Sequence, residues 1–301
     1  MRPRLLILCP GQGGQHGAMF ALARTHARAR ALLDGLPLPL ENDAGALFAN
    51  RVAQPMIVAA TLAMWEAVRE LAPPPALVAG YSIGELSAHS VAGGLAPADA
   101  VALAGARARA MDDCLRQHPG QALAAIAGLA PARSANLLAE DGFYVAIETG
   151  PDSCIVGGAA AALASVERKV AEAGARCSRL PVAIAAHTLY MAHAVAPFAA
   201  ALQAADFLPQ ACPVLSGING SAIEGKALAV EHLSRQLAEK ILWRDCMDAC
   251  LEAGVTVALE LGPGAALSRM LQARHPGIAC RSVADFHTLA GVGQWLARHV
   301  A

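Results

Sequence analysis

The chain has 301 residues, 55% of them hydrophobic, and a formal net charge of -1. That length buries a large core and leaves room for one main domain plus a smaller one. The near-neutral charge and an aromatic content of 4% exclude a dominant field for nucleic acid or membrane and argue against a base-stacking surface.

After Arg2 and Arg4 an apolar run extends only from Leu5 to Cys9. It is too short for a signal-peptide core or a bilayer span, so a cytoplasmic location is expected. The run reads as a first buried strand, ending in the glycine-rich loop Pro10-Gly11-Gln12-Gly13-Gly14-Gln15. No Gly-Lys-Ser/Thr follows, so this is not a nucleotide-binding Walker loop, but such a loop brings backbone N–H groups near an anion. Residues 16 to 35 read as helical, with Pro37 and Pro39 breaking the pattern, and Pro55 to Leu71 as a long helix ended by Pro73-Pro74-Pro75.

The stretch Ala76 to Leu86 is the most informative. A short apolar run reaches Gly80-Tyr81-Ser82-Ile83-Gly84 and continues into a helix start at Glu85. Strand, Gly-x-Ser-x-Gly and helix in that order match a nucleophile elbow, which holds a serine hydroxyl exposed on a tight turn. The Ile83 N–H then lies at a helix N-terminus, where it meets an oxyanion. The bland alternative is a glycine-flanked turn with a capping serine.

Pro97 suits the first position of the next helix, which carries Ala98 through Met111 and includes Arg107 and Arg109. Two residues apart, those arginines point to different sides, so at most one faces a given pocket. From about residue 121 the pattern changes to β-α-β-β-α-β, the ferredoxin-like order. Its strands read as Ala122–Ile126, Tyr144–Ile147, Ser153–Val156 and Ala175–Leu180, its helices as Pro131–Glu140 and Ala159–Ala173. The expected organisation is an α/β core over 1–120 and 187–301, resembling α/β-hydrolases with a parallel sheet, and an inserted ferredoxin-like subdomain over 121–186. The core resumes with a helix to about Ala205, a short strand at Val214–Ser216, a mostly helical stretch from Leu228 to Gly254, a strand at Val257–Leu261 and a helix at Ala265–Arg274.

A serine hydroxyl needs a positioned base to attack at neutral pH. Of the ten histidines, His89 falls two helical turns past the elbow, and His118, His232, His275, His287 and His299 read as surface residues. His187 follows a strand-like run and opens a helix among apolar neighbours, and is the candidate base; a structural histidine is the alternative. No Asp or Glu stands out as a third triad member. The eight cysteines are scattered without a CxxC pair, and Cys246 and Cys250 lack the second pair of a zinc site, so buried reduced thiols are expected.

Gly11-Gln12-Gly13-Gly14-Gln15, Gly80-Tyr81-Ser82-Ile83-Gly84-Glu85, Arg107 with Met111, His187 with Met191, Trp243 and Glu260-Leu261-Gly262-Pro263-Gly264 occur in an order and spacing that resemble the malonyl-CoA:acyl carrier protein transacylases. The resemblance covers nearly the whole chain. It implies Ser82 as the nucleophile that carries a malonyl ester, His187 as its base, and the N–H groups of Gln12 and Ile83 as the oxyanion hole. It implies Arg107 as a clamp on the malonyl carboxylate, a role that suits a guanidinium fork. In this family a backbone carbonyl orients the histidine, and the matching position is Leu242. Malonyl-CoA and an acyl carrier protein are the implied partners, with no metal or redox cofactor.

The chain departs from the family at Tyr81, where histidine is usual, at Ala108, where glycine is usual, at Thr149-Gly150-Pro151-Asp152-Ser153, and at Ile184-Ala185-Ala186 before His187. The stretch from Pro37 to Asn50 is also short. These departures resemble a specialised branch, the acyltransferase subunit of malonate decarboxylase. Two other readings compete: a serine esterase or thioesterase using the same elbow, and a non-catalytic protein that docks a carrier. An esterase has no need of a buried Arg107, and a docking protein has no need of Ser82, His187 and Arg107 together.

Overall fold

The computed structural model describes residues 3–38 and 47–300. Most of the shortened Pro37–Asn50 stretch, including the expected break at Pro39, lies outside the described residues.

The body is a six-stranded sheet. Strand β1 (Leu5–Cys9) is followed by helices α1 (Ala27–Gly35) and α2 (Asn50–Val68), strand β2 (Leu77–Gly80), and helices α3 (Gly84–Val91) and α4 (Pro97–Gln117). A second sheet is built from β3 (Gln121–Ala127), α5 (Pro131–Leu138), β4 (Tyr144–Gly150), β5 (Ser153–Ala159), α6 (Leu163–Glu172) and β6 (Arg176–Arg179). The chain then returns through α7 (Ala192–Ala204), β7 (Val214–Leu215), β8 (Ala222–Ile223), α8 (Lys226–Arg235), α9 (Trp243–Glu252), β9 (Val257–Glu260), α10 (Ala266–Arg274), β10 (Ala279–Ser282) and α11 (Leu289–His299).

The large sheet runs β10-β9-β1-β2-β7-β8, parallel except for the β7–β8 pair. In β1 the side chains alternate between two cores. Leu5, Ile7 and Cys9 pack into a cluster with α2, α3 and α4, and Leu6 and Leu8 into one with α9 and α10. A sheet covered on both faces calls for the unbroken apolar run seen there. The small sheet is antiparallel, in the order β4-β5-β3-β6. Counted within the unit this is second, third, first, fourth, the ferredoxin-like order. It has its own core of Ile126, Leu138, Phe143, Val156, Val166 and Val170. Strand β4 is tied to the body through the segment before α9: the Glu148 N–H donates to the Ile241 carbonyl at 2.8 Å, and the Ile241 N–H to that of Ala146 at 2.9 Å.

Three expected elements differ. Residues 16–25 form turns ending in a short 3₁₀ segment (Ala23–Thr25), not the start of a helix. The Thr25 hydroxyl donates to the Leu22 carbonyl at 2.7 Å, a local bond that competes with helix propagation. Helix α2 begins at Asn50, so Pro55 lies inside it rather than at its start. The stretch Leu228–Gly254 is two helices, α8 and α9, with an irregular segment between them. That break has a consequence at the site.

Candidate active site

Strands β1 and β2 are adjacent and parallel, with Cys9 opposite Gly80. The loops that leave them, Pro10–Gln15 and Tyr81–Ile83, therefore emerge side by side. The contact is too close for side chains. A Cβ on Gly11 would stand 2.7 Å from the Tyr81 carbonyl oxygen, one on Gly84 would strike the Cys9 and Pro10 carbonyls, and one on Gly80 would strike the backbone of Glu85. Gly80 and Gly84 flank Ser82 for this steric reason.

The turn is tight. Gly84 N–H donates to Tyr81 O and Glu85 N–H to Ser82 O, each at 3.0 Å. Ser82 is forced to φ 56°, and His187 has φ 63°; they are the non-glycine residues with positive φ among those described. Such a conformation costs on the order of 1–3 kcal/mol and persists where the surroundings over-determine it. At His187 the surroundings are identifiable: its backbone N–H donates to the Leu237 carbonyl at 2.8 Å, and the following Thr188 donates its hydroxyl to the Ala185 carbonyl at 2.7 Å.

Ser82 Oγ lies 2.8 Å from His187 Nε2, and His187 Nδ1 lies 2.6 Å from the Gln236 carbonyl oxygen. A carbonyl only accepts, so the ring proton sits on Nδ1 and Nε2 is left to accept from the serine hydroxyl. This is the arrangement of a serine and its general base, with a backbone carbonyl in the orienting position. The acceptor is Gln236, not Leu242. Leu242 caps α9, where its carbonyl takes the Cys246 N–H at 3.0 Å while its own N–H donates to Gly217 O at 2.7 Å. The non-helical break after α8 is what frees the Gln236 carbonyl.

Arg107 lies on α4 and is 2% exposed. Its guanidinium donates to Gln54 Oε1 at 2.9 Å, to Met111 Sδ at 3.3 Å and to Ser82 Oγ at 3.3 Å. All three partners are neutral, and among the described residues no carboxylate is within ion-pair distance. Burial pulls its pKa down to about 10, opposed by the charge of Glu85, so it is a cation at neutral pH. Burying an unpaired charge costs several kcal/mol, which makes this a prepared place for an anion. Arg109, on the same helix, is exposed.

The N–H groups of Gln12 and Ile83 have no protein acceptor among the described residues. Gln12 follows Gly11, which packs against Tyr81 and Ser82, and its side chain is anchored on Asn50 Oδ1 at 3.3 Å. The Ile83 N–H directly follows the serine, and Gln12 lies on the loop whose Gly11 packs against the Ser82 turn. A cavity of about 430 Å³, lined by Gly11, Gln12, Tyr81, Ile126, Ser153 and Met270 among others, runs from these loops toward the small sheet.

Sequence reasoning missed Gln54 and Gln236. Gln54 had a signal, as a lone amide at the edge of the apolar run of α2, fully buried. His232, expected at the surface, is buried with Nδ1 2.8 Å from Ser216 Oγ. His89 is buried on α3 and pairs with Gln210, away from the serine. All eight cysteines are free. Among the described residues no group of three or more His, Cys, Asp or Glu side chains is placed to hold a metal ion, and no helix is long and apolar enough to cross a membrane.

A profile of the acyl transferase domain matches residues 7–298. The chain belongs to the acyl transferase family, and is an acyltransferase. It is 32% identical to a malonyl CoA-acyl carrier protein transacylase of Mycobacterium tuberculosis, over 96% of this chain and 100% of that one. A transacylase of the same description from Bacillus subtilis is 28% identical over 95% of each chain. The crystal structure of the malonyl-CoA:acyl carrier protein transacylase from Xanthomonas oryzae superposes with a TM-score of 0.90 at 27% identity, covering 99% of this chain and 98% of that one.

His187 is expected to remain a base well into acid. Burial, then the neighbouring Arg107 cation, disfavour its imidazolium and bring its pKa down to about 3, against the Gln236 carbonyl, which pushes it up. A depressed pKa keeps Nε2 unprotonated below the 6.5 of an ordinary imidazole. The rate of Ser82 acylation by an activated ester should therefore stay level from neutrality down to about pH 5, where a solvent-exposed imidazole base would have lost most of its activity. An acid limb centred near 6.5 in single-turnover acylation would show that His187 is solvated in solution or is not the base.

Proposed function

We propose that this chain moves a malonyl group from malonyl-CoA, through an ester on Ser82, to the phosphopantetheine-type thiol of an acyl carrier protein. The observation that carries the reading is Arg107, a buried cation with only neutral partners, 3.3 Å from the serine oxygen. An anionic acyl group that reacts at Ser82 and ends in a carboxylate fits it. The names of the relatives above support the same substrate and acceptor.

The steps follow from the geometry. Ser82 Oγ attacks the thioester carbonyl as its proton passes to His187 Nε2. The tetrahedral oxyanion meets the Gln12 and Ile83 N–H groups. The C–S bond breaks, and His187 returns the proton to the departing CoA sulfur. The carrier thiol then gives its proton to His187 and attacks the ester, the acyl–Oγ bond breaks, and His187 returns the proton to Ser82 Oγ. The malonyl carboxylate has a second effect: by neutralising Arg107 it removes a charge that opposes formation of the His187 imidazolium, so the base strengthens when the right substrate is bound. These steps call for no metal or redox group, and the site of action is the cytoplasm. As the finer part of the proposal, the acceptor is the carrier subunit of malonate decarboxylase, supported by the departures at Tyr81, Ala108, Thr149–Ser153 and Ile184–Ala186. Faster transfer to that subunit than to the carrier of fatty acid synthesis is the expected result, and the reverse preference removes this part.

The test of the malonyl assignment is Arg107→Ala. Losing one partner of a buried charged pair costs on the order of 2–5 kcal/mol, so malonyl transfer should fall roughly 30-fold or more. Acetyl-CoA has no carboxylate to pair, and its transfer should hold steady or rise. Arg109→Ala, on the exposed side of α4, should change neither. The quantity to measure is the ratio of kcat/KM for malonyl-CoA over acetyl-CoA. An equal fall for both substrates in Arg107→Ala marks the residue as structural.

A further inference from the structure

We infer that Glu85 is a positioning residue for the catalytic base: it holds the Gln236 carbonyl on His187 and so couples the helix that follows the nucleophile to the segment that orients the base. This rests on the assignment of Ser82 and His187 above and names a further residue of the same site.

Glu85 is the second residue of α3, three positions after Ser82, and is 1% exposed. A glutamate there would ordinarily sit in solvent near the helix N-terminus. Here its side chain runs inward to two segments far along the chain. Oε2 accepts the Gly217 N–H at 2.9 Å and the side-chain amide of Gln236. Gln236 is itself 1% exposed. Its carbonyl takes the His187 Nδ1 proton, and the next carbonyl, Leu237, takes the His187 backbone N–H. The residue that orients the base is thus held at its side chain by Glu85 and in contact with His187 through its main chain.

Backbone bonds hold residues 236–242, the break between α8 and α9, at both ends, with the Gln236 N–H on His232 O and the Leu242 N–H on Gly217 O, and the side-chain amide of Gln236 adds a buried anchor at the residue whose carbonyl faces His187. The space around the anchor is reserved. A Cβ on Gly217 would stand 2.9 Å from Glu85 Oε2 and 3.3 Å from Gln236 Nε2. Both donors use the same oxygen, and Oε1 has no partner among the described residues. The job is that of a single acceptor oxygen. A carboxylate performs it, and so does a protonated acid with its hydrogen on Oε1, or an amide. This matters because burial pushes the Glu85 pKa up to about 8, with the Gly217 and Gln236 bonds and the Arg107 charge pulling it back. The role is independent of which form is present.

The tests are Glu85→Gln, Glu85→Ala, Gln236→Ala and the double alanine variant, with two readouts. The first is the Nδ1 proton of His187 in the free protein, observed by NMR of 15N-histidine-labelled material and assigned by its loss in His187→Ala. It should be present in wild type and Glu85→Gln, and lost or exchange-broadened in Glu85→Ala and Gln236→Ala. The second is steady-state transfer. Misplacement of the base costs up to roughly 10²-fold in rate, so kcat should fall by about that order in either alanine variant with KM for malonyl-CoA nearly unchanged. The double variant should be no worse than the singles, because both break one link. Glu85→Gln should restore most of the rate with the wild-type pH profile. Retention of the Nδ1 signal and of kcat in Glu85→Ala overturns the inference, as does a rise in KM alone or additive losses in the double variant. Should Glu85→Ala not fold, Gln236→Ala and Glu85→Gln decide the same question. A wild-type protein that takes no acyl group contradicts the proposed function, and the NMR arm still decides the role of Glu85.

Discussion

Replacing His187 by alanine is expected to slow acylation of Ser82 by on the order of 10²–10⁴-fold, the usual contribution of a positioned general base. The loss has a defined origin. Nε2 is the acceptor 2.8 Å from Ser82 Oγ, and without it the hydroxyl proton has no base to go to. What remains is Arg107, 3.3 Å from the same oxygen, whose charge favours an alkoxide and sets the residual rate. The fold should survive, because the backbone bond from residue 187 to Leu237 does not involve the ring. Added imidazole should recover part of the rate. Stopped-flow acylation together with far-UV circular dichroism measures both sides, and an unfolded His187→Ala protein would assign the residue a structural role.

Ser82→Ala should have the larger effect, a loss on the order of 10⁶-fold, as when a serine nucleophile is removed from a site whose other groups work only through it. Binding should not follow. Ser82→Ala removes the 3.3 Å contact from Arg107 to the serine oxygen but leaves Arg107 its bonds to Gln54 Oε1 and Met111 Sδ. The variant should therefore bind malonyl-CoA with nearly wild-type Kd by calorimetry while transferring nothing to the carrier. Turnover near the wild-type rate would move the acyl group to another side chain.

The elements that were legible in the sequence are those whose cause is local. β1 and β2 are apolar because both faces of the sheet are covered, and Gly80 and Gly84 are glycine because a Cβ has nowhere to go. The ferredoxin-like unit showed itself in its strand and helix order. What stayed hidden acts through the backbone or across long separations. The orienting carbonyl belongs to Gln236, in a break between α8 and α9 that carries neither glycine nor proline, so no residue type marked it. Leu242 was expected there, but its carbonyl is spent on the first turn of α9. Glu85 reads as an ordinary first-turn acid, and its contacts lie 132 and 151 residues away. His232 looked like a surface residue because its neighbours Glu231 and Arg235 are charged, yet those two pair with each other in solvent while the His232 ring turns inward to Ser216.

The most direct measurement is peptide mapping by mass spectrometry after a brief incubation with malonyl-CoA and no acceptor. One malonyl group should appear on the peptide that contains Ser82. It should be absent in Ser82→Ala and discharged when a thiol-bearing carrier is added. A malonyl group on a cysteine peptide, or steady release of malonate with no labelled intermediate discharged by the carrier, would contradict a serine acyltransferase.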